Sequence, residues 1–274
     1  MALGTELQGI LDDIGDGAYG YALFRLRGLA DSTGPDALRC ELSLRHLDGE
    51  TEPALGWARL AADLGDDHHQ YLLGSYHYEG SHFVEKNHVE AAKWYALAAA
   101  SGNVEAQLAL GEMHFFGIGV EKDHGGAALW YSRAAARGNA IAQRNMGELY
   151  EHGWGVRLSR EKAIQWYRLA AEQGDAFAQH LLASTYESGS PADQLKAFNW
   201  QRLAAQQGLA RAQSALGELY EQGVGVRRNL PSAYYWYNLA AQQQDEDGLI
   251  AVEKLRQVLT SAEISLAKEL HEDD

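Results

Sequence analysis

The chain has 274 residues, 46% hydrophobic content, four prolines and a formal net charge of −15. That length and apolar content allow a large core, while the acidic balance, with no basic stripe to offset it, excludes nucleic acid as an expected partner. With Cys40 as the single cysteine, an internal disulfide is excluded.

The segment Met1 to Asp13 has no basic start and reaches Asp12-Asp13 before any apolar run long enough for export. No stretch approaches the roughly 18 apolar residues of a membrane span. A cytoplasmic protein without a membrane span is expected, with export possible only if a signal was removed. Residues 1–35, including an apolar stretch from Tyr19 to Leu29, read as N-terminal capping helices. Residues 36–65 read as a degenerate repeat, in which Trp57 is followed by Ala61-Ala62.

From residue 66 a period takes over. Trp94-Tyr95, Trp130-Tyr131, Trp166-Tyr167, Trp200 and Trp236-Tyr237 recur at tryptophan steps of 36, 36, 34 and 36 residues, the signature of stacked helical repeats. Alanines stand three residues before and four and five after each Trp, which places small residues on one face of a helix, helix B. Asn87, Asp123, Ser159, Asp193 and Asn229 lie seven residues before each Trp as expected N-caps, and Gly102, Gly138, Gly174 and Gly208 close the helix eight residues after. At the fifth turn the glycine is replaced by Gln244. Between these markers runs helix A, with Ala-Gln-x-x-Leu/Met-Gly at 106–111, 142–147 and 212–217 and a looser copy at 178–183. Gly-x-Gly-Val loops at 117–120, 153–156 and 223–226 join A to B, so each unit is a helical hairpin.

These motifs resemble the Sel-one-like repeat, a relative of the tetratricopeptide repeat. The resemblance implies an all-α fold, a right-handed α-α superhelix or solenoid. It divides residues 66–244 into five repeats, 66–102, 103–138, 139–174, 175–208 and 209–244. The fourth shortens its loop and replaces the pair's tyrosine by Gln201. Residues 245–274 read as a C-terminal cap of two short helices, Leu249 to Leu259 and Ser261 to Leu270, with Thr260 or Ser261 as N-cap.

Several patterns imitate chemistry. Ser159-x-x-Lys162 matches a motif of penicillin-recognising enzymes, and some Sel-one-like proteins are described as penicillin-binding. Ser159, however, falls on the shared capping position and no partner motif follows. The Gly-x-Gly loops follow helices rather than strands, which argues against a phosphate cradle. His68, His69, His77, His82 and His88 crowd 21 residues, yet no metal-ligand spacing accompanies them. No cofactor and no resident metal is expected.

Residues shared by the repeats build the fold, so specificity is expected where the repeats differ, on the A helices that line the concave face of related solenoids. The candidate protein-binding residues are Tyr78, Glu112, Phe115, Phe116, Arg144, Glu148, Glu151, His152, Trp154, Glu187, Glu218 and Glu221. The resemblance implies an adaptor or scaffold without catalysis, binding a protein or peptide that is basic or carries an apolar anchor. Two alternatives are an immunity-type protein neutralising a toxin and, from another class, a cell-wall hydrolase using Ser159 and Lys162.

Overall fold

The computed structural model describes residues 52–80 and 84–269, with ten isolated positions between 6 and 29. Among the described residues there is no strand, and thirteen helices follow in order. They are α1 (Glu52–Asp63), α2 (Asp67–Glu79), α3 (His88–Ser101), α4 (Val104–Phe116), α5 (His124–Ala136), α6 (Ala140–His152) and α7 (Arg160–Glu172). After these come α8 (Ala176–Glu187), α9 (Pro191–Gln206), α10 (Ala210–Gln222), α11 (Leu230–Gln242), α12 (Glu246–Arg256) and α13 (Ser261–Glu269). Two compact units divide the chain, Met1–Arg137 and Gly138–Asp274. Within each, successive helices pack on one another as far as α12, as nearest-neighbour stacking of hairpins requires, and α13 folds back onto α11.

Capping chemistry sets the helix starts. The side chains of Asn87, Asp123, Ser159 and Asn229 each accept a backbone N–H of the first turn of α3, α5, α7 and α11. Asp193 does not. The shortened loop lets α9 begin earlier, at Pro191, so Ser190 is the cap and Asp193 is its capping-box partner. Most A helices carry caps of their own, at Asp66, Asn103, Asn139 and Asp175, and α12 is capped by Asp245, whereas Leu209 before α10 supplies no side-chain cap. Thr260 caps α13 through reciprocal bonds with Glu263.

The Ala-Gln motif has a specific task. The buried Gln70, Gln107, Gln179 and Gln213 each donate from Nε2 to a carbonyl in the last turn of the preceding helix, at Ala62, Ala99, Ala171 and Ala205, over 3.0–3.2 Å. Those carbonyls lie at a helix end, where intrahelical donors run out. In the Gly-x-Gly loops the second glycine matters for space. A Cβ at Gly119 would strike the carbonyl of His88, and one at Gly225 that of Gln194.

In the first unit the core gathers Ala91, Tyr95, Ala98, Leu110 and Met113. In the second it gathers Tyr167, Leu182, Leu216, Trp236, Tyr237 and Val252 along successive hairpins. Trp130, Trp166 and Trp200 are only half-buried, whereas Tyr167 is fully enclosed. The tyrosine of the pair is therefore the deeper core member in that hairpin.

Near the start, Ile10 is buried and Arg25 pairs with Asp13 at 2.6 Å. Most of the expected N-terminal cap, Cys40, the side chain of Trp57, His82 and the acidic tail Glu272-Asp273-Asp274 lie outside the described residues.

Candidate protein-binding surface

In the first unit, α2 and α4 carry the candidate side chains. Tyr78 is half-buried, its ring 5.0 Å from that of His88 and 6.5 Å from that of Tyr95. Burial pushes the Tyr95 hydroxyl up to about 12, and that hydroxyl donates to Ser75 Oγ at 3.2 Å. Glu112 is exposed. Phe115 is half-buried, flanked by Phe116 edge-on and by His124, each at 4.9 Å between ring centroids. Phe116 stays 63% exposed at the end of α4. Phe115 thus supports its neighbour, and Phe116 presents a ring to solvent.

In the second unit several candidates are engaged by the fold itself. Arg144 on α6 reaches the α8 cap Asp175 at 3.1 Å and lies 5.2 Å from the Phe177 ring. Tyr167 donates its hydroxyl to Glu151 at 2.5 Å, and Tyr237 does the same to Glu221 at 3.1 Å. Lys254 adds an ion pair to Glu221 at 2.7 Å. These carboxylates, placed outward by the spacing, clamp helix A to helix B.

Glu148 is half-buried, and desolvation pushes its carboxyl above the usual range against the opposing pull of Arg144 and His152. Burial, then repulsion from Glu218, pushes Glu187 the same way. His152 is exposed and stacks on Trp154 at 4.4 Å, leaving Trp154 37% exposed. Glu218 is exposed and lines, with Glu221, a groove of about 950 Å³.

That groove also contains residues the sequence did not single out as site residues: Arg211, Ile250 and Lys254. The signal for α12 was present, since Asp245 stands 36 residues after Leu209, continuing the register of helix A starts. Ser214 donates to Asp245 at 2.5 Å, as Arg144 does to Asp175 two hairpins earlier.

The Ser159–Lys162 pair does not form a nucleophile and base. Ser159 Oγ accepts the Lys162 backbone N–H at 3.4 Å and donates to Glu161 at 3.1 Å, while the Lys162 ammonium lies 4.9 Å from the Tyr150 ring centroid. Among the described residues, no three His, Cys, Asp or Glu side chains are grouped so as to hold a metal ion. His69 is buried against Asp66, with Nδ1 2.8 Å from Oδ1. No described helix is long and apolar enough to cross a membrane.

Comparison with known families matches the Sel1 repeat at residues 41–66, 70–103, 104–139, 140–175, 176–209 and 210–245. The chain belongs to the Sel1 repeat family. Among solved structures it is similar to a Sel1 repeat protein from Oxalobacter formigenes, at 30% identity over 87% of this chain and 69% of that one, with a TM-score of 0.68. It is also similar to a protective antigen of uropathogenic Escherichia coli with an SLR fold, at 23% identity over 97% and 82% of the two chains and a TM-score of 0.36. An immunity protein from Pseudomonas aeruginosa matches at 19% identity over 79% and 84%, with a TM-score of 0.45. No curated protein matches. The fold class is the helical-repeat solenoid of Sel1 proteins, a scaffold type that mediates protein–protein interaction.

Proposed function

We propose that this Sel1 repeat protein is a non-catalytic scaffold that holds a protein partner on the surface of its A helices. Acidic side chains orient a basic segment of the partner, and exposed aromatics anchor an apolar one. The observation that carries this reading is Phe116. The other hairpins have Glu79, His152, Ser188 and Gln222 at its place, all polar, and Phe116 is left 63% exposed. A phenylalanine in that setting leaves about 1.5–3 kcal/mol of burial free energy ungained until something covers it.

Glu112, Phe115 and Tyr78 belong to the same surface in the first unit. In the second unit the surface runs through Trp154 with His152, then Glu148, Glu187 and Glu218, while Arg144, Glu151 and Glu221 form its structural floor. The test begins with affinity capture from the native cell lysate and moves to purified components. Phe116→Ser and Trp154→Ser should each weaken the captured partner at least tenfold while leaving the melting temperature unchanged. Unaltered affinity in both variants overturns the reading.

A further inference from the structure

Three cations of the second unit converge on the last turn of α8. Arg168 of α7 donates from Nη2 to the Tyr186 hydroxyl at 2.9 Å, and Lys196 Nζ of α9 lies 5.4 Å from the centroid of the same ring. One residue back along α8, Arg160 of α7 donates from Nη2 to the Thr185 carbonyl at 2.8 Å. The repeat does not require this arrangement. Counted in the same register, the three positions hold His88, Ala96 and Gly126 for His114, then His124, Ser132 and Lys162 for Tyr150, and Gln194, Arg202 and Ser232 for Tyr220. Of these sets, only that of Tyr186 is basic throughout.

The charges of the two arginines are not cancelled where they stand. Lys196 pairs with Asp193 at 2.9 Å, and Asp193 is further held by the Ser190 hydroxyl at 2.7 Å. Arg160 and Arg168 have neutral partners, a carbonyl and a hydroxyl, and among the described residues neither has a carboxylate partner. Glu161, next to Arg160 in sequence, turns its carboxylate to Ser159 Oγ at 3.1 Å instead. All three cations are exposed. A guanidinium offers a planar fork of donors that matches a carboxylate, and most of each fork is left over here.

We propose that this cluster docks an acidic segment of a partner protein, whose carboxylates are taken by the forks of Arg160 and Arg168 and attracted by Lys196. The surface goes beyond the scaffold reading, since it uses none of the A-helix candidates and calls for the opposite charge. Charge complementarity selects the occupant: two guanidiniums without carboxylates at one helix end favour anions beside them, and the bond from fork to carboxylate is a strong one. A nucleic-acid backbone fits less well. Its phosphates would continue past three cations onto a chain whose formal net charge is −15, whereas a short run of aspartate or glutamate can end where the cluster ends.

The probe is a short fluorescein-labelled peptide of alternating glutamate and alanine, titrated with the full chain and read by fluorescence anisotropy. Its counterpart carries glutamine, which keeps the shape of glutamate and lacks the charge. At physiological salt, where charges beyond about 8 Å are largely screened, the glutamate peptide should bind at least tenfold tighter than the glutamine peptide. Arg160→Gln with Arg168→Gln should abolish the preference while the helical circular dichroism is kept. Arg168→Lys, which keeps the charge and loses the fork, should retain part of it, and Arg202→Gln, at the register position of Arg168 but on α9, should preserve it in full. Equal binding of the two peptides, no binding of either, full binding by the double variant, or loss in Arg202→Gln overturns the proposal. Tighter binding of a labelled single-stranded oligonucleotide than of the glutamate peptide overturns it in favour of nucleic acid. Protein capture through Phe116 and Trp154 tests the A-helix surface alone, so either reading can fail without the other.

Discussion

Gly147 lies against the ring of Tyr167 with no room for a Cβ between them, and the same relation joins Gly74 to Tyr95, Gly111 to Tyr131 and Gly217 to Tyr237. In the fourth hairpin both partners change together, to Ala183 and Gln201. The glycine of the Leu/Met-Gly motif is therefore a seat for the tyrosine of the Trp–Tyr pair. Gly147→Ala should destabilise by about 1–3 kcal/mol through overpacking, measured by urea unfolding. Gln201→Tyr alone should cost at least as much, since it also removes the bond to the Ala212 carbonyl. Added Ala183→Gly should recover part of that loss, giving a coupling of about 1 kcal/mol or more in a double-mutant cycle. Strict additivity would show that the two positions are not partners.

Gln244 offers a test in the opposite direction. It holds a φ of 64°, the single non-glycine with positive φ among the described residues, at the place filled by Gly102, Gly138, Gly174 and Gly208 earlier in the chain. A left-handed conformation costs a side-chain-bearing residue about 1–2 kcal/mol, partly offset by the larger unfolded-state freedom of glycine. Gln244→Gly should therefore stabilise by about 0.5–1 kcal/mol, seen as a higher denaturation midpoint with an unchanged slope. A lower midpoint would mean that the glutamine side chain does structural work at the rim of the groove.

The fold was legible because its devices are periodic: caps, terminating glycines and the tyrosine seat all return at the repeat spacing. Where periodicity weakens, legibility falls. The helix expected over Leu249 to Leu259 is Glu246–Arg256, because Leu249 and Glu253 replace the glutamine and glycine that mark helix A, although the cap at Asp245 is kept. Phe116 could be singled out as a break in the pattern. The engagement of Glu151 and Glu221 by Tyr167 and Tyr237 could not, since it depends on the reach of a side chain from helix B across helix A, which spacing within one helix does not encode. Likewise, spacing within α6 does not encode the bond from the Arg144 guanidinium to Asp175 of the following hairpin.

Ser159 separates a cap from a nucleophile. Its hydroxyl receives the Lys162 backbone N–H, and the Lys162 side chain is drawn to the Tyr150 ring. Ser159→Ala should cost about 0.5–2 kcal/mol of stability and Ser159→Asp much less, because aspartate caps equally well. A fluorescent penicillin should leave the protein unlabelled. Covalent labelling that disappears in Ser159→Ala would establish a reactive serine and overturn the assignment.

Glu187 links stability to pH. Burial and the nearby Glu218 raise its carboxyl in the folded state, so the native protein binds that proton more tightly than the unfolded chain does. With more protons bound in the native state, stability falls as pH rises from the ordinary glutamate range, near about 4.3, through the raised folded value. Glu187→Gln should remove that penalty and stabilise the protein at pH 7, by no more than about 1 kcal/mol because the group is half exposed and screened by solvent. The advantage should vanish below about pH 4, where both states are protonated. Thermal melts of the variant and the parent between these limits measure it directly. A variant that is less stable than the parent at pH 7 would show that Glu187 is already satisfied within the fold.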